Sequence, residues 1–415
     1  MTTAAAAILV WAASLSARID ANLELEARNR LGYIPEAGTI NSELGSEMIL
    51  IPSANLRYTR RNLELRAGYG PRLYNHLTEA ESPLLIQHRA EARVLGNWNR
   101  AFRYDLIARG TAGELDFSGA GRQEQFDGDL SSSVPEADRL RFADGQIRAS
   151  TWWNVAPRWH WETQTGVGIR RGIQGSDAED LFLLEQENAN VRNRLRLNFT
   201  RRTTMRLEVD AGYRAFDDEH PRYYTLGSLL GLERHLSPRT SVLIAGGGLI
   251  YWDGLPEEKL EGPGGFLLAE LGVISVVPLS PTKRLRLRAN AASRPYFDSR
   301  MGTLDPRGLL RGSADVELTN ILNVSAAANW LFPLRTADGE LLGARQGQDR
   351  QVLRMTFATT YRFSANLHVR LGASSVSRWR ERGEPEAEFG QELVAVVTLI
   401  ARTELLRMIE ERPGF

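Results

Sequence analysis

The chain has 415 residues, of which 51 are basic and 51 acidic, with six histidines and no cysteine. This balance gives no electrostatic ground for a nucleic-acid partner, and without a thiol there is neither a disulfide framework nor cysteine chemistry. Mean hydropathy is below zero, and no run reaches the roughly 20 apolar residues that a membrane-spanning helix requires.

The first feature in chain order is "AAAAILVWAAS", Ala4 to Ser14, followed by the small residues Ser16 and Ala17. It has the apolar core and small-residue cleavage region of a secretory signal peptide but lacks the basic n-region. The expectation is a leader over residues 1–17; a buried amino-terminal helix is the alternative.

From Ile19 onward a two-residue period takes over. "IDANLELEARNRL" sets Ile19, Ala21, Leu23, Leu25 and Ala27 against Asp20, Asn22, Glu24, Glu26 and Arg28. "NLELRAGYGP" sets Leu63, Leu65, Ala67 and Tyr69 against Glu64 and Arg66, and "LIQHRAEARV" sets Ile86, His88, Ala90, Ala92 and Val94 against Arg89, Glu91 and Arg93. "VRNRLRLNF" places Arg192, Arg194 and Arg196 opposite Val191, Leu195, Leu197 and Phe199, and after "TRRT" Arg206, Glu208 and Asp210 oppose Met205, Leu207 and Val209. "RLRLRANA" places Arg284, Arg286 and Arg288 opposite Leu285, Leu287 and Ala289, and "VLRMTFATTYRF" places Arg354 and Arg362 opposite Leu353, Met355, Phe357 and Tyr361. Successive side chains of a strand point to opposite faces, so this spacing gives one apolar and one charged face; a helix would smear both around its circumference.

About eighteen such segments are expected, starting near residues 19, 47, 62, 83, 101, 142, 158, 188, 203, 223, 240, 265, 283, 309, 321, 351, 366 and 389. Tight links near Arg60–Arg61, Asn99–Arg100, Ala156–Pro157, Arg201–Arg202, Ser237–Pro238, Pro278–Thr282, Thr319–Asn320 and Ser364–Asn366 alternate with longer ones such as Gly113 to Arg141 and Leu334 to Arg350. The long connections carry the acids, as in "DAED", "DDEH" and "EPEAE". Trp98, Trp153, Trp159, Trp161, Tyr213, Tyr251, Trp330 and Tyr361 fall near segment ends or in the apolar register, as an interfacial aromatic girdle would.

Nearly the whole chain thus resembles the bacterial outer-membrane porin-like β-barrels. Glu388–Phe389–Gly390–Gln391–Glu392–Leu393–Val394–Ala395 matches the family's insertion signal, although "TELLRMIEERPGF" follows it. Strand number and arginine content are similar to the eighteen-stranded barrels that deltaproteobacteria place beside polysaccharide exporters. The resemblance implies an all-β fold, a transmembrane antiparallel up-and-down barrel over residues 18–402 in the outer membrane, with short periplasmic turns and long acidic extracellular loops. Residues 403–415 are expected to be a periplasmic tail, with a short helix over Thr403 to Glu411. Partners implied are outer-membrane lipid, lipopolysaccharide and periplasmic export components; no cofactor is implied.

Chemistry-bearing motifs are absent: no phosphate-binding loop, zinc-protease helix or nucleophile elbow occurs. Asp217, Asp218 and Glu219, beside His220, could hold a cation or imitate a protease dyad, or are simply an acidic loop. The functional candidates are the arginine rows: Arg66, Arg89, Arg93, Arg192, Arg194, Arg196, Arg206, Arg284, Arg286, Arg288, Arg354, Arg362 and Arg370 as pore-lining residues. Guanidinium rings favour carboxylate- and phosphate-bearing solutes. The reading is a non-enzymatic channel or conduit for anionic solutes or exported acidic polysaccharide. Alternatives are a lumen whose charges cancel across strands, a structural or adhesive barrel with a plugged lumen, an outer-membrane hydrolase with a rim active site, and a soluble sheet.

Overall fold

The computed structural model describes residues 17–36, 39–60, 62–76, 85–116, 139–172, 186–216, 221–254, 263–281, 283–298, 303–334, 350–364, 366–380 and 390–409. Strands account for nearly all of them: β1 Ala17–Glu36, β2 Thr39–Arg60, β3 Leu63–Tyr69, β4 Arg72–His76, β5 Leu85–Asn97, β6 Phe102–Asp116, β7 Arg139–Ala156, β8 Trp159–Gly172, β9 Gln186–Thr200 and β10 Thr203–Ala215. The second half continues with β11 Arg222–Ser237, β12 Thr240–Gly254, β13 Gly264–Pro278, β14 Arg284–Asp298, β15 Thr303–Glu317, β16 Leu322–Pro333, β17 Arg350–Arg362, β18 Leu367–Arg380 and β19 Gly390–Ile409. The expected leader lies outside the described residues.

β3 and β4 pair with the same two neighbours, β2 and β5, and are one stave broken at Gly70–Pro71. Pro71 has no N–H to give to a ladder. The nineteen strands therefore make eighteen staves, each antiparallel to its chain neighbour. The sheet closes on itself where β1 pairs with β19, Leu25 opposite Ala401. Closure leaves no edge, the condition for crossing a hydrocarbon layer with strands.

The burial pattern is that of a membrane barrel. Among the described residues, forty-three large apolar side chains are exposed, including Leu230, Ile244 and Val167, while only twelve hydrophobic residues are buried. At roughly 25 cal/mol per Å² of apolar surface, such a coat is untenable in water, which removes the soluble sheet. An eighteen-stave antiparallel barrel with a greasy outside is the porin-like architecture of the bacterial outer membrane, and the chain resides there.

Short turns at one end are locked by repeated devices. The side chain of Asn99 accepts from Ala101 and Phe102 N–H, Thr319 from Ile321 and Leu322, and Ser364 from Asn366 and Leu367. In three other hairpins a register shift just before the turn leaves Val155, Phe199 and Leu236 as the extra residue of a bulge. Each turn is also laced to an adjoining strand: the carbonyls of Arg158, Arg202 and Arg239 accept from Asn198, His235 and Val276 N–H at 2.8–3.0 Å.

Most strands begin within three residues of their expected positions. Two begin earlier, β2 at Thr39 rather than 47 and β15 at Thr303 rather than 309. The first gains the weakly patterned "TINSELGS", held by pairing with β1 from Glu36↔Thr39 onward. The second gains Asp305 and Pro306; that proline lies directly opposite Pro295, so two residues without N–H face each other. The helix expected over Thr403 to Glu411 is a correction: β19 runs on as strand to Ile409, with Met408 opposite Ile19 and Arg407 opposite Asp20. Its helix-forming composition yields to the unpaired backbone of β1. At the other rim, Gly113 adopts φ 141°, where an added Cβ would strike the Ile86 carbonyl.

Candidate functional site

One contact identifies the concave face. Arg206 on β10 donates to Glu270 on β13 at 2.9 Å, past two intervening strands. The register makes this a straight row: Arg206 opposite Gly231, Gly231 opposite Ala245, Ala245 opposite Glu270. With strands about 4.8 Å apart, the row spans roughly 14 Å of wall. Two long side chains close that gap only on the side where they converge, and only because glycine and alanine lie beneath them. Exposed Leu207, Leu230, Ile244 and Leu271 belong to the alternate, convex register.

Following the ladders from this row places all thirteen candidate arginines on the concave register. Arg192, Arg194 and Arg196 share it with Arg206 and Glu208 through the β9–β10 pairing. Arg284, Arg286 and Arg288 share it with Asn290, which donates to Glu270 at 3.1 Å. Arg66 lies opposite Arg93, with Arg89 four residues before it on β5. Arg354 is level with Asn329 and Arg311, Arg362 follows on the same strand, and Arg370 faces Thr360.

These arginines fall into two sectors. From β2 to β10, and on to β13 and β14 at Glu270, carboxylates compensate them. Arg93 makes a bidentate pair with Asp105 at 2.6–2.8 Å, Glu64 takes both Arg57 and Arg66 at 2.6–2.7 Å, and Arg109 meets Glu91 at 2.8 Å. Glu162, Arg194 and Glu208 form a level minus-plus-minus row, with Arg194 at 3.2 Å from one carboxylate and 2.9 Å from the other. Arg192 adds a third contact to Glu208 at 3.3 Å, and Arg294 joins Arg206 on Glu270 at 3.2 Å. Arg89 donates to Gln87 at 2.9 Å.

The strand pattern makes Glu64, Glu91, Asp105, Glu208, Asp210, Asp315 and Glu317 the expected partners; the structure pairs the first four, and the other three make no ion pair among the described residues. The hubs Glu162 and Glu270 are absent from that expectation. Glu162 had a signal, since His160, Glu162 and Gln164 alternate with Trp159, Trp161 and Thr163. Glu270 had none: it is the single charge in "FLLAELGV".

The second sector runs from β14 to β18. Arg284, Arg286, Arg288, Arg311, Arg354, Arg362 and Arg370 make no ion pair among the described residues. Level with Arg288 across the next four strands lie Ser313, Ala327, Thr356 and Ser374, and Arg311 and Arg354 are each flanked by asparagine. Short neutral neighbours leave the guanidinium groups to water. Arg354 Nε is buried with no hydrogen-bond partner. Asp315, opposite Arg286, and Glu317 share this face but bond no arginine here.

Two further features shape the interior. A cavity of about 770 Å³ lies against the paired sector, among Arg57, Arg66, Arg89, Arg109 and Arg170. At the rim opposite the short turns, Phe216, Tyr223 and Leu304 form a buried cluster with Tyr251 and Phe297, and the Arg214 guanidinium lies 4.1 Å from the Phe297 ring. Tyr251 is therefore not part of an outer girdle: it lies opposite Thr225 in the concave register. Trp153, Trp159, Trp161 and Tyr361 are exposed on the convex side, and Trp98 is 80% exposed at a turn. His88, also convex, is hydrogen-bonded to the Tyr69 hydroxyl at 2.7 Å. Asp217, Asp218 and Glu219, the cation candidates, lie outside the described residues, as does His220.

No protein-family model matches the sequence, and neither does any curated protein. Solved structures similar in architecture include OccAB4 of Acinetobacter baumannii, with TM-score 0.46 and 8% identity over 94% of this chain and 100% of that one. OccK2 (OpdF) of Pseudomonas aeruginosa, solved also with glucuronate, aligns with TM-score 0.45 and 13% identity over 93% of this chain and 98% of that one. The outer-membrane protein OpdK of the same organism aligns with TM-score 0.42 and 11% identity over 92% and 99%. These are likenesses of fold and assign no ligand here.

Proposed function

We propose that this barrel is a passive outer-membrane channel whose β14–β18 wall attracts anionic solutes, either small acids or acidic polysaccharide segments. The observation that carries the reading is the contrast between the two sectors. A lumen whose arginines served only cohesion would pair them with carboxylates on every stave, as most of those from β2 to β10 are paired. Seven arginines on the other wall instead make no ion pair among the described residues, and apart from Asp315 opposite Arg286 their level neighbours are neutral. Guanidinium groups about 7 Å apart along β14 form a strip along which a carboxylate or phosphate passes from one fork to the next. A barrel of 16 to 18 strands has room for such traffic. The paired wall holds the circumference rigid while the unpaired wall does the selecting.

The test is single-channel recording of the refolded chain in a planar bilayer under a salt gradient, beside R284Q/R286Q/R288Q. The expected result is an open, anion-preferring conductance whose reversal potential moves toward that of an unselective pore in the triple variant. A silent insertion would favour a plugged, structural barrel. An unchanged reversal potential would show that the strip does not select.

A further inference from the structure

We infer that the short-turn end of the barrel carries an anionic-phospholipid collar: an arc of paired apolar anchors and cations, from the β5–β6 turn to the β13–β14 turn, that binds phospholipid headgroups. The inference is independent of what the lumen conducts.

It begins with a repeat in the turns. Val155-Ala-Pro-Arg158, Phe199-Thr-Arg-Arg202 and Leu236-Ser-Pro-Arg239 each place a cation three residues after an exposed apolar side chain. In all three the apolar residue is the extra one of a β-bulge, the device by which a strand re-aims one side chain. The arginine that follows has its carbonyl bonded to an adjoining strand, so its Cα is fixed. Two longer turns vary the theme, with exposed Trp98 before Arg100 and Leu279 before Lys283.

Charge completes the pattern. The connecting segments at this end, 61–62, 98–101, 157–158, 201–202, 238–239, 279–283, 318–321 and 363–366, contain seven basic residues and no acid, although the whole chain is neutral. Arg100, Arg158, Arg201, Arg202, Arg239 and Lys283 are exposed and make no ion pair among the described residues. Pore selectivity does not account for them, since they sit on turns, and fold stability does not require them, since the turns are already closed by backbone and side-chain caps.

A hydrocarbon-facing anchor with a cation beside it, repeated in the five consecutive hairpins from β5–β6 to β13–β14, matches a headgroup layer: the apolar group enters the acyl boundary and the guanidinium meets the phosphate. An acidic protein partner would account for the cations but not for a hydrocarbon-facing anchor beside each of them.

The experiment reconstitutes the full chain in phosphatidylcholine bilayers and compares the association of spin-labelled phosphatidylglycerol and spin-labelled phosphatidylcholine by electron spin resonance. The wild type is expected to prefer phosphatidylglycerol about five-fold, the screened attraction of roughly one basic residue per lipid. The preference should fall toward unity in R158Q/R202Q/R239Q and in about 1 M salt, and it should survive R284Q/R286Q/R288Q, whose changes lie in the lumen. Should the triple turn variant not refold, the single variant R202Q is expected to lose part of the preference. Equal association of both lipids with the wild type, or a preference that survives the turn substitutions, overturns the assignment. Protection of these arginines from phenylglyoxal by an acidic peptide, without lipid preference, would make the arc a protein-docking surface instead.

Discussion

Arg206 and Glu270 stand 64 residues apart in sequence and 2.9 Å apart in the barrel, joined over a floor made of Gly231 and Ala245. The bridge ties β10 to β13 across the inside, a restraint that the strand ladders alone do not provide. Glu270 also receives Asn290 and Arg294. Replacing it with glutamine removes the negative charge that two guanidinium groups share and turns one of its two acceptor oxygens into a donor, at a cost of roughly 1–3 kcal/mol. E270Q should therefore shift the urea midpoint of unfolding from lipid vesicles downward. Coupling with R206Q in a double-mutant cycle is expected to be non-additive; simple additivity would count against the bridge.

The floor of that row makes a separate prediction. An added Cβ at Gly231 already comes within 3.0 Å of the Ala245 Cβ, and a leucine there would push into the space beneath the two long side chains. G231L is expected to destabilise the barrel by about 1–3 kcal/mol. The Ala245→Gly exchange should be far milder, and the ratio of the two effects on heat-modifiable gel migration distinguishes overpacking from a general loss of strand propensity.

The sequence makes the period-two alternation legible because a barrel between lipid and water must keep it on every stave, and strand number and arginine register follow from it. What it leaves hidden is of two kinds. Segments such as 39–46 and 303–308 lie in strands because a neighbour's backbone needs partners, with no hydrophobic pattern to announce them. Pairings such as Arg206 with Glu270 depend on which residues of four different strands come level, and two of those are a glycine and an alanine that carry no charge signal. The division into paired and unpaired sectors is invisible for the same reason. Arg192 and Arg286 occupy similar alternating runs and each has an aspartate level with it, Asp210 and Asp315, yet Arg192 meets Glu208 at 3.3 Å while Arg286 makes no ion pair among the described residues.

On the unpaired wall, Asp315 is the carboxylate level with Arg286. If the strip attracts anions, removing this charge strengthens the field without disturbing any ion pair. D315N should move the reversal potential further toward that of the anion, opposite to the effect of the arginine substitutions. The gain should shrink as salt rises from about 0.1 M to about 1 M, where the screening length falls from about 10 Å to about 3 Å. An anion preference indifferent to both changes would mean that selection arises elsewhere.

Closure provides the last prediction. β1 and β19 pair from Tyr33↔Leu393 to Arg18↔Ile409, with a register shift between Ala21 and Asn22. Residues from Thr403 onward supply the part of this seam at the short-turn end, facing Arg18 to Leu23. A periplasmic helix there would be dispensable to the barrel. As strand it satisfies β1 N–H and C=O groups on the lipid side of the seam, each costly to leave unpaired away from water. A chain ending at Arg402 should still insert, because the remaining ladder from Glu24 to Tyr33 closes the sheet. Its folded band should disappear at lower temperature than that of the full chain, and amide exchange on Arg18 to Asn22 should quicken while β10 is unaffected. Equal thermal resistance and unchanged exchange in the truncated chain would show that these residues contribute nothing to the seam.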